Sequence, residues 1–240
     1  MIFLYNMMSR LLQINKVKWK ISPLGEKVLI LQPCEKNPSL GHIHDVTHLI
    51  DTSEIAGLSD VIPSYGSIAL IFNEPVSKID PVFKQLHDAV KNFDTSVQKT
   101  KTIEVPVCYQ LGLDWEEVCE HTKLTKQEAI SIHVEQCYTI AMMGFIPGFV
   151  YLDGLSSKIH CPRKAKPRIK VPQGSIGIGG NQTGVYSLES PGGWQIIGRT
   201  PLNFFQPTKV PPVSVRLGER VLFKAIDENE FNRIKNYSSR

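Results

Sequence analysis

Glycine and proline are concentrated in one part of this 240-residue sequence. Eleven of the 17 glycines and nine of the 16 prolines lie between residues 140 and 212. Both residue types interrupt regular elements, because glycine adopts backbone conformations that other residues avoid and proline lacks an N–H donor. Short apolar segments stand between these breaks, among them YTIAMM, SIGIGG and RVLFKAI. This pattern predicts a closed or nearly closed antiparallel β-barrel.

The preceding region, roughly residues 17–107, alternates apolar strand patterns with helical ones. Ser39 is placed to cap the first helix, and Asp80-Pro81 combines a capping residue with a first-turn proline at the start of the second. The predicted strands are 27–31, 61–62, 67–72 and 101–107, and the predicted helices are about 39–55 and 80–93. The order β-α-β-β-α-β is typical of a ferredoxin-like domain.

Two capping-box spacings open the second region. Glu117 follows Asp114 by three positions, and Glu128 follows Thr125 in the same way. In such a box, the two side chains bind the free backbone N–H groups at the start of a helix. We therefore expect two short helices before the strand-rich segment. The expected fold class is α+β, with an N-terminal ferredoxin-like domain (1–103) followed by an antiparallel β-barrel domain (104–240).

Composition excludes several classes of protein. The formal net charge of +4 is too small to require a nucleic-acid partner. Five cysteines without a C-x-x-C spacing indicate free thiols in a reducing compartment. The first ten residues, MIFLYNMMSR, do not resemble a secretory signal, and the uncharged apolar run 137–152 is too short to span a bilayer. We expect a cytoplasmic protein with no membrane partner.

Histidines and glycines supply no known catalytic or metal-binding template. His42, His44 and His48 fall on the first predicted helix, and we interpret them as a solvated face because a metal site would need a further ligand. The segment Gly174–Gly184 (GSIGIGGNQTG) fits neither a P-loop nor a dinucleotide-binding fingerprint. Its plain interpretation is a barrel turn in which glycine permits close approach of the chain. No metal site is predicted.

A basic loop stands out between His160 and Lys170 (HCPRKAKPRIK), where five of eleven residues are Arg or Lys. Pro162 and Pro167 restrict the loop, so that its cations lose less conformational entropy on binding a ligand. An arginine fork matches a carboxylate or phosphate in a bidentate manner, which makes Arg163 and Arg168 candidates for an anion clamp. A solvated basic loop is an equally good interpretation, and the absence of aromatic residues argues against single-stranded RNA.

Aromatic residues form two further candidate walls of a site. In the segment 144–155 (GFIPGFVYLDGL), three aromatic side chains are spaced by glycine and proline, and they either line a pocket or, as composition alone favours, plug the barrel end. In the segment 191–201 (PGGWQIIGRTP), Trp194 and Arg199 flank another tight turn. Trp194 is thus expected beside a cation.

His133 marks the point where the helical period stops. An imidazole exchanges protons near neutral pH, so His133 is a candidate proton-transfer group. A lone histidine is more often structural, and that alternative stays open here.

Three long motifs carry a resemblance to a known family. GFIPGFVYLDGL, PRKAKPRIKVPQGSIGIGGNQTGVY and ESPGGWQIIGRTPL occur in this order, and together they resemble the PxpB/KipI family. That family comprises the B component of bacterial ATP-dependent 5-oxoprolinase, also described as allophanate hydrolase subunit 1. The resemblance implies an N-terminal α+β domain followed by a cyclophilin-like barrel. It also implies a hydrolase component that opens 5-oxoproline to L-glutamate with ATP, or alternatively a KipI-like inhibitor.

The resemblance further implies partners and a site. The partners would be the C and A components of the 5-oxoprolinase; for an inhibitor, the partner would be a sensor histidine kinase. ATP with Mg²⁺ would be bound as a substrate, with the metal arriving on the nucleotide. Arg163, Arg168 and Arg199 would clamp anions, while backbone N–H groups near the glycine-rich turn would form an anion nest. His133 and Arg168 are the candidate catalytic residues, and the candidate binding residues are Pro147, Gly148, Phe149, Arg163, Gly179, Gly180, Gln182, Thr183 and Arg199.

Overall fold

The computed structural model describes residues 9–36, 38–91 and 100–238. Its backbone contacts divide the chain into two compact units, Met1–Gln98 and Lys99–Arg240. The first unit combines one sheet with two helices, and the second is built around a barrel. The α+β fold class is therefore confirmed.

The first unit is a five-stranded antiparallel sheet with two helices. The sheet order is β1-β2-β3-β5-β4. The helices pack against each other and against the sheet, and they bury one face of it. The elements are β1 (Arg10–Ile14), β2 (Val17–Leu24), β3 (Val28–Pro33), α1 (Leu40–Asp51), β4 (Leu58–Pro63), β5 (Ile68–Phe72) and α2 (Ile79–Val90).

A tight hairpin that the sequence analysis did not predict begins this sheet. Asn15 and Lys16 connect β1 to β2 with φ angles of 40° and 63°, as the two central residues of a type I′ turn require. Alternate side chains, such as Leu12, Trp19 and Ile21, enter the core while their neighbours face solvent. Period-two alternation on both sides of a two-residue turn is typical of a β-hairpin with one buried face.

The ferredoxin-like arrangement is not confirmed. Strands β3, β5 and β4 lie side by side, which is the order that a split βαβ unit gives to its first three strands. A ferredoxin-like fold would place its closing strand beside β3, but β2 occupies that position. The segment predicted as the closing strand, 101–107, belongs instead to the barrel of the second unit. The edge of β3 that the closing strand would occupy is paired instead with β2 of the N-terminal hairpin.

Both predicted helices exist but differ in detail. Asp80 is not the N-cap of α2, because the helix begins at Ile79, and its carboxylate accepts hydrogen bonds from Arg10 at 2.9 and 3.1 Å. The predicted end of this helix, residues 92–93, lies outside the described residues. His42 is not on a fully solvated face, since it is half-buried and accepts a 3.4 Å hydrogen bond from Trp19 Nε1.

The second unit contains nine strands and three α-helices among its described residues. Seven strands form a closed barrel in the order β10-β11-β8-β7-β14-β6-β13, and β9 pairs with β12 outside it. The elements are β6 (Thr102–Cys108), α3 (Trp115–Thr122), α4 (Lys126–Glu135), β7 (Cys137–Met143), β8 (Val150–Asp153), β9 (Arg168–Val171), β10 (Ser175–Gly179), β11 (Gln182–Val185), β12 (Ser190–Gly192), β13 (Gln195–Arg199), β14 (Arg220–Ile226) and α5 (Glu228–Ser238).

The barrel is closed as predicted, but it is not wholly antiparallel. β6 and β14 pair in parallel over seven residue pairs, from Thr102↔Arg220 to Cys108↔Ile226. A parallel pair needs a long connection between its strands, and here almost the whole unit provides it. Strands from the two ends of the unit therefore close the barrel together. None of the helices in the described ranges is both long and apolar enough to cross a bilayer.

Candidate functional site

His133 and Thr183 meet inside the barrel. The side chain of Thr183 donates its hydroxyl hydrogen to the carbonyl of Gly177 at 3.0 Å, so its oxygen accepts from His133 Nε2 at 3.2 Å. The proton of the imidazole is therefore on Nε2. Nδ1 is left as the acceptor for the Tyr109 hydroxyl at 2.8 Å.

This environment keeps His133 neutral. The ring is fully buried and stacks on Phe223 with 4.6 Å between centroids. Burial lowers the pKa of His133 to about 3, since the charged imidazolium would be far from water. Both ring nitrogens already have partners within the core. His133 therefore has a structural role in the barrel core. Neither His133 nor Thr183 is exposed to a ligand at the surface.

A second group, here named the aromatic cluster, lies on the outer side of the barrel. It contains Phe149, Tyr151, Tyr186 and Trp194, whose rings meet mainly edge to face. Phe149 is central, with centroid distances of 4.6 Å to Tyr151, 4.9 Å to Tyr186 and 5.5 Å to Trp194. Val150 and Leu152 alternate with these outward residues and fill the barrel interior. The segment 144–155 therefore forms a wall and does not plug the barrel end.

Glycines in the barrel strands make room for the Trp194 ring. A Cβ atom on Gly179 would lie 2.5 Å from Nε1 and Cε2 of that ring, and one on Gly177 or Gly184 would lie 3.1 Å from Trp194 atoms. The glycine-rich segment thus packs directly against the indole of Trp194. Of the N–H groups expected to form an anion nest, that of Gly180 is already bound, since it donates to the Cys161 carbonyl at 2.7 Å.

The loop that carries Pro147 and Gly148 is held against the barrel by specific contacts. Ser187 Oγ donates to the Pro147 carbonyl at 2.5 Å. Gly148 has a φ of 74°, and a Cβ atom there would lie 2.8 Å from Phe205 Cβ. Gln182 starts β11 across the turn from Gly179. Pro147 is exposed, whereas Gly148 and Phe149 are buried.

Asp114 anchors the basic loop. Its side chain is fully buried and accepts hydrogen bonds from both Nη atoms of Arg168, from Lys164 Nζ at 2.8 Å and from Ile196 N at 2.7 Å. Burial raises the pKa of this carboxyl, but these donors outweigh that effect and leave the pKa below its ordinary value. Lys164 also binds Glu117 at 2.5 Å. We refer to these four charged residues as the Asp114 ion cluster.

The ion cluster changes two expectations. Asp114 precedes α3, but its side chain makes no capping bond because it is turned toward β13. The Thr125–Glu128 box at the start of α4 is formed as predicted. Both Nη groups of Arg168 are bound to the Asp114 carboxylate, so the structure does not leave Arg168 available as an anion clamp. Replacing Arg168 is expected to destabilise the unit.

Arg163 is the loop cation that faces the aromatic cluster. Its Cζ atom lies 5.7 Å from the Trp194 ring centroid, a cation–π distance. The side chain is exposed, and it makes no ion pair with any residue of the described ranges. Burial raises the pKa of Tyr151, and the charge of Arg163 opposes that rise. The cation beside Trp194 is therefore Arg163, where the sequence pointed to Arg199.

Arg199 lies at a separate pocket in the same unit. The pocket has a volume of about 110 Å³, and its lining includes Gln173, Asn203, Phe231 and Lys235. Arg199 Nε donates to the Gln173 carbonyl at 2.7 Å, and its Cζ lies 5.9 Å from the Phe231 ring centroid. Sequence reasoning missed Gln173 and Asn203, because nothing local distinguishes these polar residues from others in loops.

Within the described ranges, no group of three His, Cys, Asp or Glu side chains is arranged to hold a metal ion. The predicted site residues thus fall into three places. They are the barrel interior, the aromatic cluster with its basic loop, and the Arg199 pocket. Of these, the last two present cations at the surface.

These features define a class of protein: a mixed α+β chain whose second unit is a closed seven-stranded barrel with cationic sites. The family model of the carboxyltransferase domain, subdomain C and D, matches residues 19–215. The chain belongs to this family.

Relatives agree with the assignment. The chain is 34% identical to the 5-oxoprolinase B component of Bacillus subtilis, over 93% of this chain and 99% of the relative. It is 37% identical to the 5-oxoprolinase B component of Escherichia coli O157:H7, over 71% of this chain and 79% of the relative. The crystal structure of the K. lactis urea amidolyase superposes with a TM-score of 0.74 over 94% of this chain and 16% of that chain. At 15% identity, the last similarity shows the fold alone.

Proposed function

We propose that this chain is the B component of an ATP-dependent 5-oxoprolinase complex, which opens 5-oxoproline to L-glutamate. One observation carries the proposal, namely the 34% identity to a protein of that name over nearly the full length of both chains. Both units are included in this alignment, so the similarity is not limited to the barrel. The A and C components are the proposed partners.

The proposed chemistry explains the need for ATP. A lactam is a stable amide and must be activated before water opens it. The lactam oxygen therefore first attacks the γ-phosphorus of ATP, and ADP leaves with the electron pair of the broken P–O bond. Water then adds to the activated carbon, and the C–N bond breaks to give an amine and an acyl phosphate. A second water releases phosphate and L-glutamate. Mg²⁺ on the nucleotide and nearby cations would stabilise the phosphoryl oxygens.

Two cations of this chain are suited to the anionic groups of ATP and 5-oxoproline. Arg163 is exposed beside the aromatic cluster, and the Asp114 ion cluster fixes the loop that carries it. Arg199 borders a pocket. We assign Arg168 to positioning the loop and leave His133 out of the site, because the first is paired with Asp114 and the second is buried. The partner components are proposed to supply the remaining groups.

Reconstitution tests the proposal. ADP and glutamate formation from 5-oxoproline would be measured with this chain and its A and C partners, and then with each component omitted. We expect both products only in the complete mixture. Arg163→Gln should lower the rate by about tenfold or more, as expected for loss of one charged contact to a phosphoryl group. Lys166→Gln, an exposed cation of the same loop, serves as the matched control.

An assembled complex that leaves 5-oxoproline intact would refute the enzymatic proposal. Inhibition of a sensor histidine kinase by the purified chain would then be measured in its place. Equal loss of activity in Arg163→Gln and Lys166→Gln would refute the specific assignment of Arg163. The complex itself would still be active in that case.

A further inference from the structure

Arg199 is a half-buried cation without a carboxylate partner among the described residues. Its Nε–H is bound to the Gln173 carbonyl, whereas no acceptor in the described ranges binds Nη1 or Nη2. Burial lowers the pKa of Arg199, and no acidic residue opposes that effect. By contrast, Arg168 has a buried carboxylate as its partner. Removing a guanidinium from water without a counter-ion is unfavourable, so the position favours an external anion.

The walls around Arg199 are fixed by backbone contacts. Gly174 has a φ of 81°, and a Cβ atom there would lie 2.3 Å from the Thr200 carbonyl oxygen. Thr200 N donates to Gly174 O at 2.8 Å, and Gly174 N donates to Tyr186 O at 2.7 Å. The turn between β9 and β10 is thereby held against the end of β13. The position of the pocket walls beside Arg199 is therefore set by backbone hydrogen bonds of the barrel.

Two amide side chains complete the polar part of the pocket. Gln173 Nε2 donates to Asn203 Oδ1 at 3.2 Å. This bond leaves Gln173 Oε1 as an acceptor and Asn203 Nδ2 as a donor, neither bound to another residue of the described part of the chain. A cyclic amide presents the complementary pair, one N–H and one C=O on the same edge. Phe231 adds an apolar surface on the side of α5.

We infer that the Arg199 pocket binds a small cyclic amide that carries a carboxylate, the chemical class of 5-oxoproline. The free fork of Arg199 would take the carboxylate in a bidentate manner, and Gln173 with Asn203 would take the lactam. The charge of the lining agrees with an anion, since it holds Arg199 and Lys235 and no acidic residue. The pocket, with a volume of about 110 Å³, is suited to a small molecule of this kind. This inference rests on the proposed function.

Direct binding to the full chain tests the inference. Amide chemical shifts would be followed by NMR during millimolar titrations with L-5-oxoproline, with L-proline, which lacks the lactam carbonyl, and with 2-pyrrolidone, which lacks the carboxylate. We expect L-5-oxoproline to shift resonances of the pocket residues and the two fragments to bind at least tenfold more weakly. Equal affinity for L-proline and L-5-oxoproline would overturn the lactam assignment, and no shifts in the pocket would overturn the inference.

Variants separate the two parts of the site. Arg199→Gln should weaken L-5-oxoproline binding by about ten- to a hundredfold, the usual effect of losing hydrogen bonds to a charged group. Asn203→Ala removes an exposed side chain and should weaken binding without affecting the fold, which keeps the test valid if Arg199→Gln unfolds. Arg216→Gln, an exposed arginine outside the pocket lining, is the matched control and should bind as the wild type does.

The reconstituted complex distinguishes this inference from the proposed function. If the wild-type complex opens 5-oxoproline and Arg199→Gln leaves its KM unchanged, the pocket inference fails while the proposed function stands. If the complex opens no lactam but the chain still binds L-5-oxoproline in the pocket, the proposed function fails and the pocket inference stands. A raised KM with a nearly unchanged kcat is the result expected for a binding contact.

Discussion

The buried His133 predicts a pH dependence of stability. Its pKa is about 3 in the folded barrel, below the ordinary value of 6.5 that applies in the unfolded chain. Below pH 6.5, the unfolded chain therefore takes up a proton that the folded chain does not. Folding is thus unaffected by this group above pH 6.5 and becomes progressively less favourable as pH falls toward 3.

The size of the effect follows from the two pKa values. Between pH 7 and pH 5, the free energy of unfolding of the barrel unit should fall by about 2 kcal/mol through His133 alone. His133→Gln cannot titrate and should lose this part of the pH dependence, even if the variant is less stable throughout. His121→Gln, which replaces an exposed histidine of the same unit, should keep the pH dependence of the wild type.

Hydrogen–deuterium exchange mass spectrometry provides the assay. Urea-dependent exchange of peptides from β7 and β14 reports the barrel unit alone, so unfolding of the first unit does not enter the result. Ring ¹⁵N shifts would report the protonation state of His133 directly and should show the Nε2–H tautomer from pH 8 to pH 5. An identical pH dependence in wild type and His133→Gln, or a ring that gains a proton near pH 6.5, would refute the prediction that burial keeps His133 neutral.

Three further predictions concern the stability of the barrel unit, each measured by urea unfolding. Asp114→Asn should cost about 3–5 kcal/mol, because it leaves the two cations of the ion cluster without their buried partner; Glu117→Gln should cost less than about 1 kcal/mol, and equal losses would contradict this role. Gly179→Ala should cost about 1–3 kcal/mol and shift indole fluorescence through a clash with Trp194; Gly180→Ala, with φ of 71° and open space, should leave the fluorescence unchanged. Thr125→Ala should cost about 1 kcal/mol by removing the cap of α4, and no loss would show that the box is not stabilising.

Locally determined features were predictable from the sequence. The capping box of α4 needs only Thr125 and Glu128, three positions apart, and it is formed. The helices α1 and α2 follow their apolar periodicity within a few residues. The density of glycine and proline predicted a closed barrel, because it limits the segment to short strands joined by turns. Family membership was also readable from motifs within the barrel segment.

Tertiary structure decided which groups each charged side chain binds. The same capping spacing at Asp114 and Glu117 produced no capping box, because a buried carboxylate gains more from Arg168, Lys164 and Ile196 N than from a helix terminus. These donors are between 50 and 82 positions away in the sequence. No local pattern indicates which anion a loop arginine will meet.

The candidate site shows the same division. The sequence by itself determined that Arg163, Arg168, Arg199 and Trp194 belong to segments rich in glycine or proline. Tertiary structure decided that Arg168 pairs with Asp114, that Arg163 faces Trp194, and that Arg199 borders a pocket with Gln173 and Asn203. The physical reason is that turn formation depends on neighbouring residues, whereas the pairing of a charge depends on which distant groups share its low-dielectric surroundings.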